Sequence, residues 1–338
     1  MTYEEILQNA KNCVGEACKA CPVCNGKACG GKIPGPGAKG SGTGAIRNYD
    51  AWQKLYVNMD TICENRPVDL SFETFGQTFK YPIFAAPIGA MKLHYGEKYD
   101  DMEYNDILVS ACAAAGIAAF TGDGMNPAVM EGATKAIQAA GGRGIPTVKP
   151  WDVGTLADKF QMVIESGAFA CAMDIDGAGL PFLKNQTPPA GSKSVEELEG
   201  IIKKAGVPFI LKGIMTVKGA LKAKKAGAAA IVVSNHGGRV LDHCPSTAEV
   251  LPEIAGAVKG SMKIFVDGGI RSGLDIFKAL ALGADAVLVG RPYVTAVYGG
   301  GAEGVAVYTE KLAEELEDVM AMCGAHSLSE ITRDMVRS

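Results

Sequence analysis

The segment Val233-Ser234-Asn235-His236-Gly237-Gly238-Arg239-Val240-Leu241-Asp242 sets a histidine before two glycines, with an arginine three residues on. Imidazole is the side chain best matched to proton transfer near neutral pH, and a guanidinium forks onto a carboxylate. Together they suit removal of a proton from the carbon or hydroxyl next to a carboxylate. A lone histidine is more often structural, but this one follows an apolar run, where a strand would deliver it. Two further segments, Asp267-Gly268-Gly269-Ile270-Arg271-Ser272-Gly273 and Val289-Gly290-Arg291-Pro292, combine glycine backbone with one arginine each. Glycine N–H groups can face an anion, and each arginine adds a guanidinium. One Gly-Gly pair alone is as often a tight turn; two such segments point to a phosphate. Cys18-x2-Cys21-x2-Cys24-x4-Cys29, just after Cys13, has the opening spacing of a ferredoxin run. Four thiolates so placed could hold a 4Fe–4S cluster or a tetrahedral zinc. The plainer alternative is reduced, half-buried thiols, or a pair that oxidises to a disulfide.

These residues need elements to position them. From residue 82, short apolar runs alternate with longer helical segments. The runs are Ile83–Ile88, Ile117–Phe120, Pro146–Lys149, Phe169–Ile175, Pro208–Lys212, Ala229–Ser234, Lys263–Asp267 and Ala286–Gly290. Near-continuous apolar strands alternating with helices indicate a parallel sheet covered on its outer face. Eight units favour an α/β fold of the (β/α)8 barrel class over an open sheet. Polar residues cluster at the C-terminal ends of the runs: Asp174 and Asp176, Lys212, Ser234 to His236, Asp267, and Gly290 with Arg291. In a barrel those ends meet at one mouth, and the loops after strands seven and eight are its usual phosphate site. Residues 1–12 read as a short helix. Residues 13–44 have no apolar period and many helix breakers, so they read as a Cys-rich loop shaped by something other than a core. The division expected is therefore an extension over 1–44 and a barrel over 45–338. A closing helix is expected over about Glu303–Met322.

The string SNHGGR, followed by VDGGIRSGLDIFKALALGADAVLVGRP and by ELEDVMAMCGAHSLSEI, resembles the FMN-dependent 2-hydroxy acid oxidase and dehydrogenase family, which includes glycolate and lactate oxidases. The resemblance runs over roughly residues 45–338 and is densest from Val207 onward. It implies an FMN enzyme that oxidises a small 2-hydroxy acid to the 2-oxo acid. His236 then resembles the base, and Arg239 the arginine that pairs with the substrate carboxylate. Lys212 resembles the lysine beside flavin N1 and O2, where a cation stabilises the reduced flavin. Asp174 resembles the carboxylate that orients the histidine, with Asp176 as the alternative. Ser234, Thr121, and Pro87, Ile88 and Gly89 of the first-strand turn look like flavin contacts. Asp267, Gly268, Gly269, Arg271, Gly290 and Arg291 look like the phosphate end. The substrate side departs from the family. Lys149 stands near the place of a family tyrosine, and the loop after strand four has Lys184 but no arginine. An unusual or larger acid is therefore compatible with the pattern.

Composition bounds the rest. The 338 residues carry a net charge of −4 with no basic block, so nucleic acid is not an expected partner. No apolar run reaches the roughly 18 residues of a membrane span, and the acidic, polar start lacks the layout of a signal peptide. The cytosol is the expected compartment, where ten cysteines are more readily reduced, metal-bound or redox-active than structural disulfides. The expected partners are a carboxylate substrate and either oxygen or an electron-acceptor protein, and the resemblance implies a homo-oligomer. Two other readings stay open. One is a flavoenzyme of altered substrate or reverse chemistry with an iron–sulfur or redox-cysteine electron path. The other is a redox or metal sensor on a barrel scaffold, which would have no need of a base–arginine pair.

Overall fold

The computed structural model describes residues 1–180, 183 and 190–338. Eight strands form a closed parallel barrel: β1 Ile83–Ala85, β2 Ala118–Thr121, β3 Gly144–Val148, β4 Cys171–Asp174, β5 Phe209–Ile214, β6 Ala230–Val233, β7 Lys263–Val266 and β8 Ala286–Val289. Each strand pairs with the next in sequence, and β8 returns to β1. All eight apolar runs read from the sequence are strands.

Alternation along the strands makes two cores. Phe84, Ala118, Phe120, Ile145, Ala172, Ile210, Val232, Phe265 and Leu288 point inward and fill the barrel. Their neighbours, such as Ile83, Ala119, Met173, Leu211, Val233 and Val266, face the covering helices. Burial on both faces is why the strands read as continuous apolar runs. A hairpin, Phe72–Thr74 paired with Gln77–Phe79, plugs the N-terminal end. Phe79 meets Phe84 at 4.9 Å between ring centroids and Phe169, just before β4, at 5.6 Å. The mouth at the opposite end is left to polar groups.

The helices are α1 Tyr3–Lys11, α2 Thr43–Gln53, α3 Met91–Tyr95, α4 Asp101–Ala114, α5 Pro127–Ala139, α6 Val153–Glu165, α7 Val195–Ala205, α8 Val217–Lys225, α9 Thr247–Val258, α10 Gly273–Ala281 and α11 Arg291–Met322. Asp100, Asn126, Asp152, Ser194, Thr216, Ser246 and Ser272 cap α4 to α10, each accepting a first-turn N–H. The expected closing helix, about Glu303–Met322, is the part of α11 beyond a kink at the non-helical Gly301; a helical stretch before the kink starts at Arg291, directly after β8. Gly299 lies inside it because α1 presses there: an added Cβ would come within 1.9 Å of the Ile6 carbonyl oxygen. Among the described residues no helix is long and apolar enough to cross a membrane.

Candidate active site

The C-terminal strand ends surround a cavity of about 490 Å³. Pro87, Ile88 and Gly89 reach it from the turn after β1, Lys149 from β3 and Lys212 from β5. His236 and Arg239 come from the turn after β6. Asp267, Gly268, Gly269 and Arg271 follow β7, and Gly290 and Arg291 follow β8. Thr121, Asp174 and Ser234 are buried behind this wall and do not line it. Lys184 lies outside the described residues.

The turn after β6 sets His236 in a left-handed backbone conformation (φ 56°), which costs about 1–3 kcal/mol for a non-glycine residue. Hydrogen bonds hold it there. The His236 N–H donates to Ser234 Oγ at 3.1 Å. Asn235 locks the turn through a two-way amide pair with Asn48 of α2, at 2.7 and 2.8 Å, and accepts from the Gly238 N–H. His236 Nδ1 lies 3.0 Å from Asp176 Oδ1. An ionised carboxylate can only accept, so Nδ1 carries the proton and Nε2 is left as the basic nitrogen.

The partner of His236 is therefore Asp176, and not Asp174 as first expected. The reason is local geometry. Asp174 ends β4 and is turned toward Lys212, its register partner on β5. Asp176 lies in the short 3-10 turn Ile175–Gly179. The β5–β6 register shifts between Lys212 and Ile214, and Gly213 there has φ 102°. A Cβ at Gly213 would come within 2.5 Å of the Asp176 carboxyl carbon, so the bulge needs glycine to admit the carboxylate.

Beneath the wall lies a layer of buried charge. Asp174 accepts from Lys149 Nζ at 2.6 Å and faces Lys212 Nζ at 2.9 Å. Burial would raise its pKa, but the two ammonium groups hold it well below the usual carboxylate range. Burial alone would lower the pKa of Lys212; Asp174 and Asp267 hold it above its ordinary value instead. Asp267, 3.8 Å from Lys212, is raised by burial against that cation. Lys149 lines the cavity as expected, with one donor committed to Asp174. The sequence reading missed Asp123. Its carboxylate accepts from Trp151 Nε1 at 2.6 Å, Lys159 Nζ at 2.7 Å and the Lys149 N–H at 3.1 Å, and so fixes the turn after β3. It stands just beyond β2, and a polar residue at a strand end was the signal available for it.

Cations gather on the other side. Arg239 is nearly buried beside Arg291, and burial followed by that like charge lowers its pKa to about 10. Arg239 remains cationic at neutral pH. Residues 35–37 cap both arginines. Arg239 donates to the carbonyls of Gly35 at 2.6 Å and Gly37 at 2.8 Å, and Arg291 Nε to that of Pro36 at 2.7 Å. Arg271 Nε donates to the Cys24 carbonyl at 2.7 Å. Backbone carbonyls only partly offset three guanidinium groups, so this part of the site suits an anion.

His94 of α3 also lines the cavity and was not foreseen. Its Nδ1 accepts from the Gly35 N–H at 3.1 Å, and Nε2 lies 3.4 Å from Arg239. Burial, then Arg239, lowers its pKa from 6.5 to about 4. The fold thus keeps the ring neutral where the unfolded chain would protonate it. That stability is complete above pH 6.5 and is lost as pH falls toward 4. The expected loss, discounted for partial exposure, is about 2 kcal/mol. Urea unfolding across this range should show it, and His94→Gln, which keeps an acceptor for Gly35, should flatten the slope. An unchanged slope in the variant would assign the acid sensitivity elsewhere.

The four cysteines Cys18, Cys21, Cys24 and Cys29 line a second, smaller cavity. Pro36, Tyr95 and Arg291 belong to both cavities, so the two share a wall.

A family model described as FMN-dependent dehydrogenase matches residues 36–180 and 160–338. A peroxisomal (S)-2-hydroxy-acid oxidase of Oryza sativa subsp. indica is 34% identical over 318 residues, covering 86% of each chain. A peroxisomal (S)-2-hydroxyacid oxidase of Arabidopsis thaliana is 47% identical over 146 residues, which is 43% of this chain but only 39% of that protein. Among solved structures, a mandelate oxidase with (S)-2-phenylpropionate superposes with a TM-score of 0.81 at 26% identity, covering 99% of this chain and 97% of the other.

Proposed function

Because the chain belongs to the FMN-dependent dehydrogenase family, we propose that it binds FMN in the mouth cavity and oxidises a small 2-hydroxy acid to the 2-oxo acid. One observation carries the reading: His236, hydrogen-bonded to Asp176, and the Arg239 guanidinium line the same cavity as the paired-glycine, two-arginine anion cradle.

The cavity fits the cofactor on its own terms. Its volume lies within the range of small-molecule sites. Asp267 Oδ1 is buried at the wall with no partner in the protein, as a group that bonds a ligand hydroxyl would be. Gly290 leaves bare backbone there, where a Cβ would meet Ile88 at 3.3 Å. Arg271 and Arg291 would hold the phosphate, and Lys212 would supply a cation to the ring system. Bound FMN supplies the acceptor for the two electrons and the α-hydrogen.

The side chains do the remainder. Arg239 holds the substrate carboxylate and so fixes which hydrogen is presented. His236 Nε2 takes the hydroxyl proton. Asp176, hydrogen-bonded to Nδ1, keeps the tautomer and stabilises the imidazolium that results. Asp174 adds a second negative charge close by, while Lys149 and Lys212 keep it ionised. The cysteine set behind the shared wall belongs to the proposal as the holder of an inorganic centre.

Adding a panel of 2-hydroxy acids to the anaerobic flavin-loaded protein tests the reading. One of them should bleach the flavin band within seconds and yield its 2-oxo acid in equal amount. Bound flavin that no 2-hydroxy acid reduces, while a chemical reductant does, would overturn the assigned reaction.

A further inference from the structure

The N-terminal cysteines are not used by the chemistry above. Four of the five in the cluster face one small cavity, although they come from a stretch with almost no regular secondary structure. Cys13 stands apart, its sulfur accepting from Lys98 Nζ at 3.4 Å. None of the ten cysteines is in a disulfide.

We propose that Cys18, Cys21, Cys24 and Cys29 hold a 4Fe–4S cluster that shares a wall with the flavin cavity. The spacing decides its kind. A tetrahedral zinc with Zn–S near 2.3 Å needs sulfurs about 3.8 Å apart. Among the described residues, the only ligand group of three or more with atoms mutually within 4.8 Å is Asp174, Asp176 and His236. That group is already spoken for by two lysines and an imidazole hydrogen bond. The four thiols line one cavity, yet no three of their sulfurs lie mutually within 4.8 Å, so they are not gathered as the ligands of a single zinc would be. Two successive Cys-x2-Cys steps, Cys18 to Cys21 to Cys24, are the short spacing that wraps such a cluster, and Cys29 closes it. Four thiolates leave the centre anionic, and the structure supplies the counter-charge. Arg291 lines the cavity, and Arg271 reaches the Cys24 sulfur at 3.9 Å while anchoring its carbonyl.

The role of the cluster rests on the proposed flavin chemistry; its presence does not. One 2-hydroxy acid yields one 2-oxo acid, two electrons and two protons. A cluster accepts one electron at a time, so it suits an external one-electron carrier protein. Two oxidised carriers would be reduced for each acid consumed, and the two protons would pass to solvent.

The test is iron, acid-labile sulfide, zinc and flavin analysis of the full chain purified without oxygen, before and after reconstitution with ferrous iron and sulfide. About four iron and four sulfide per chain are expected, with a paramagnetic signal on reduction. Cys21→Ser and Cys24→Ser should lose most of the iron while keeping wild-type flavin content. Cys13→Ser and Cys63→Ser should keep both. One zinc per chain, or no iron after reconstitution in protein with wild-type circular dichroism, would overturn the assignment. Full iron in protein that takes up no FMN would leave the cluster standing and remove the flavin reading instead.

Discussion

Replacing His236 with alanine leaves FMN bound and slows flavin reduction by substrate by roughly a thousandfold or more, within the range of a positioned general base. The expectation follows from how the residue is built in. Its backbone is held in an uncommon conformation by Ser234, Asn235 and Asn48, and its Nδ1 is committed to Asp176. A histidine kept only for packing has no need of a half-buried carboxylate behind one nitrogen and a cavity before the other. Flavin retention is expected because the proposed phosphate cradle comes from the loops after β7 and β8, not from this turn. Anaerobic stopped-flow at saturating acid measures the step directly. A variant that reduces its flavin at the wild-type rate would remove His236 from the proton transfer. A variant purified without flavin would instead give the turn a structural role in holding the cofactor.

The barrel was legible because parallel strands buried on both faces leave unbroken apolar runs, and each of the eight runs became a strand. Charged strand ends were legible for the same reason: little else explains a lysine or aspartate at the end of a run such as Pro208–Lys212. The choice between Asp174 and Asp176 was not legible. It depends on a bulge at Gly213 and on the register of β4 against β5, neither of which leaves a signature in DID. The caps on Arg239, Arg271 and Arg291 were invisible for a deeper reason. They are backbone carbonyls, which every residue carries, so no side-chain pattern marks Gly35, Pro36, Gly37 or Cys24 as partners. The closing helix was legible over about Glu303–Met322; the stretch from Arg291 that precedes the kink at Gly301 was not, and there Gly299 and Gly300 lie against α1.

Arg239→Met should weaken binding of the substrate, and of its 2-oxo acid product, by about 2–5 kcal/mol, which is roughly thirtyfold to several thousandfold. Methionine keeps much of the length and apolar bulk, so what is lost is mainly the charge and the fork of donors. The structure gives Arg239 two possible duties, and the measurement separates them. As a carboxylate anchor, it acts on substrate affinity. As a clip on the Gly35 and Gly37 carbonyls, it acts on how firmly the N-terminal segment covers the mouth. If only the second duty were real, the variant would gain protease cuts near residues 30–42 and bind the acids as before. Arg239→Lys sharpens the distinction, because an ammonium can still reach a carbonyl but cannot fork onto a carboxylate. It should restore protection of the segment and only a minor part of the affinity. Added guanidinium should restore binding to the methionine variant in a saturable manner if the missing group is the anchor. Nearly buried beside Arg291, with a pKa drawn down to about 10 and yet still charged, Arg239 is a cation that the fold holds against its own cost. An anionic ligand is what would relieve it.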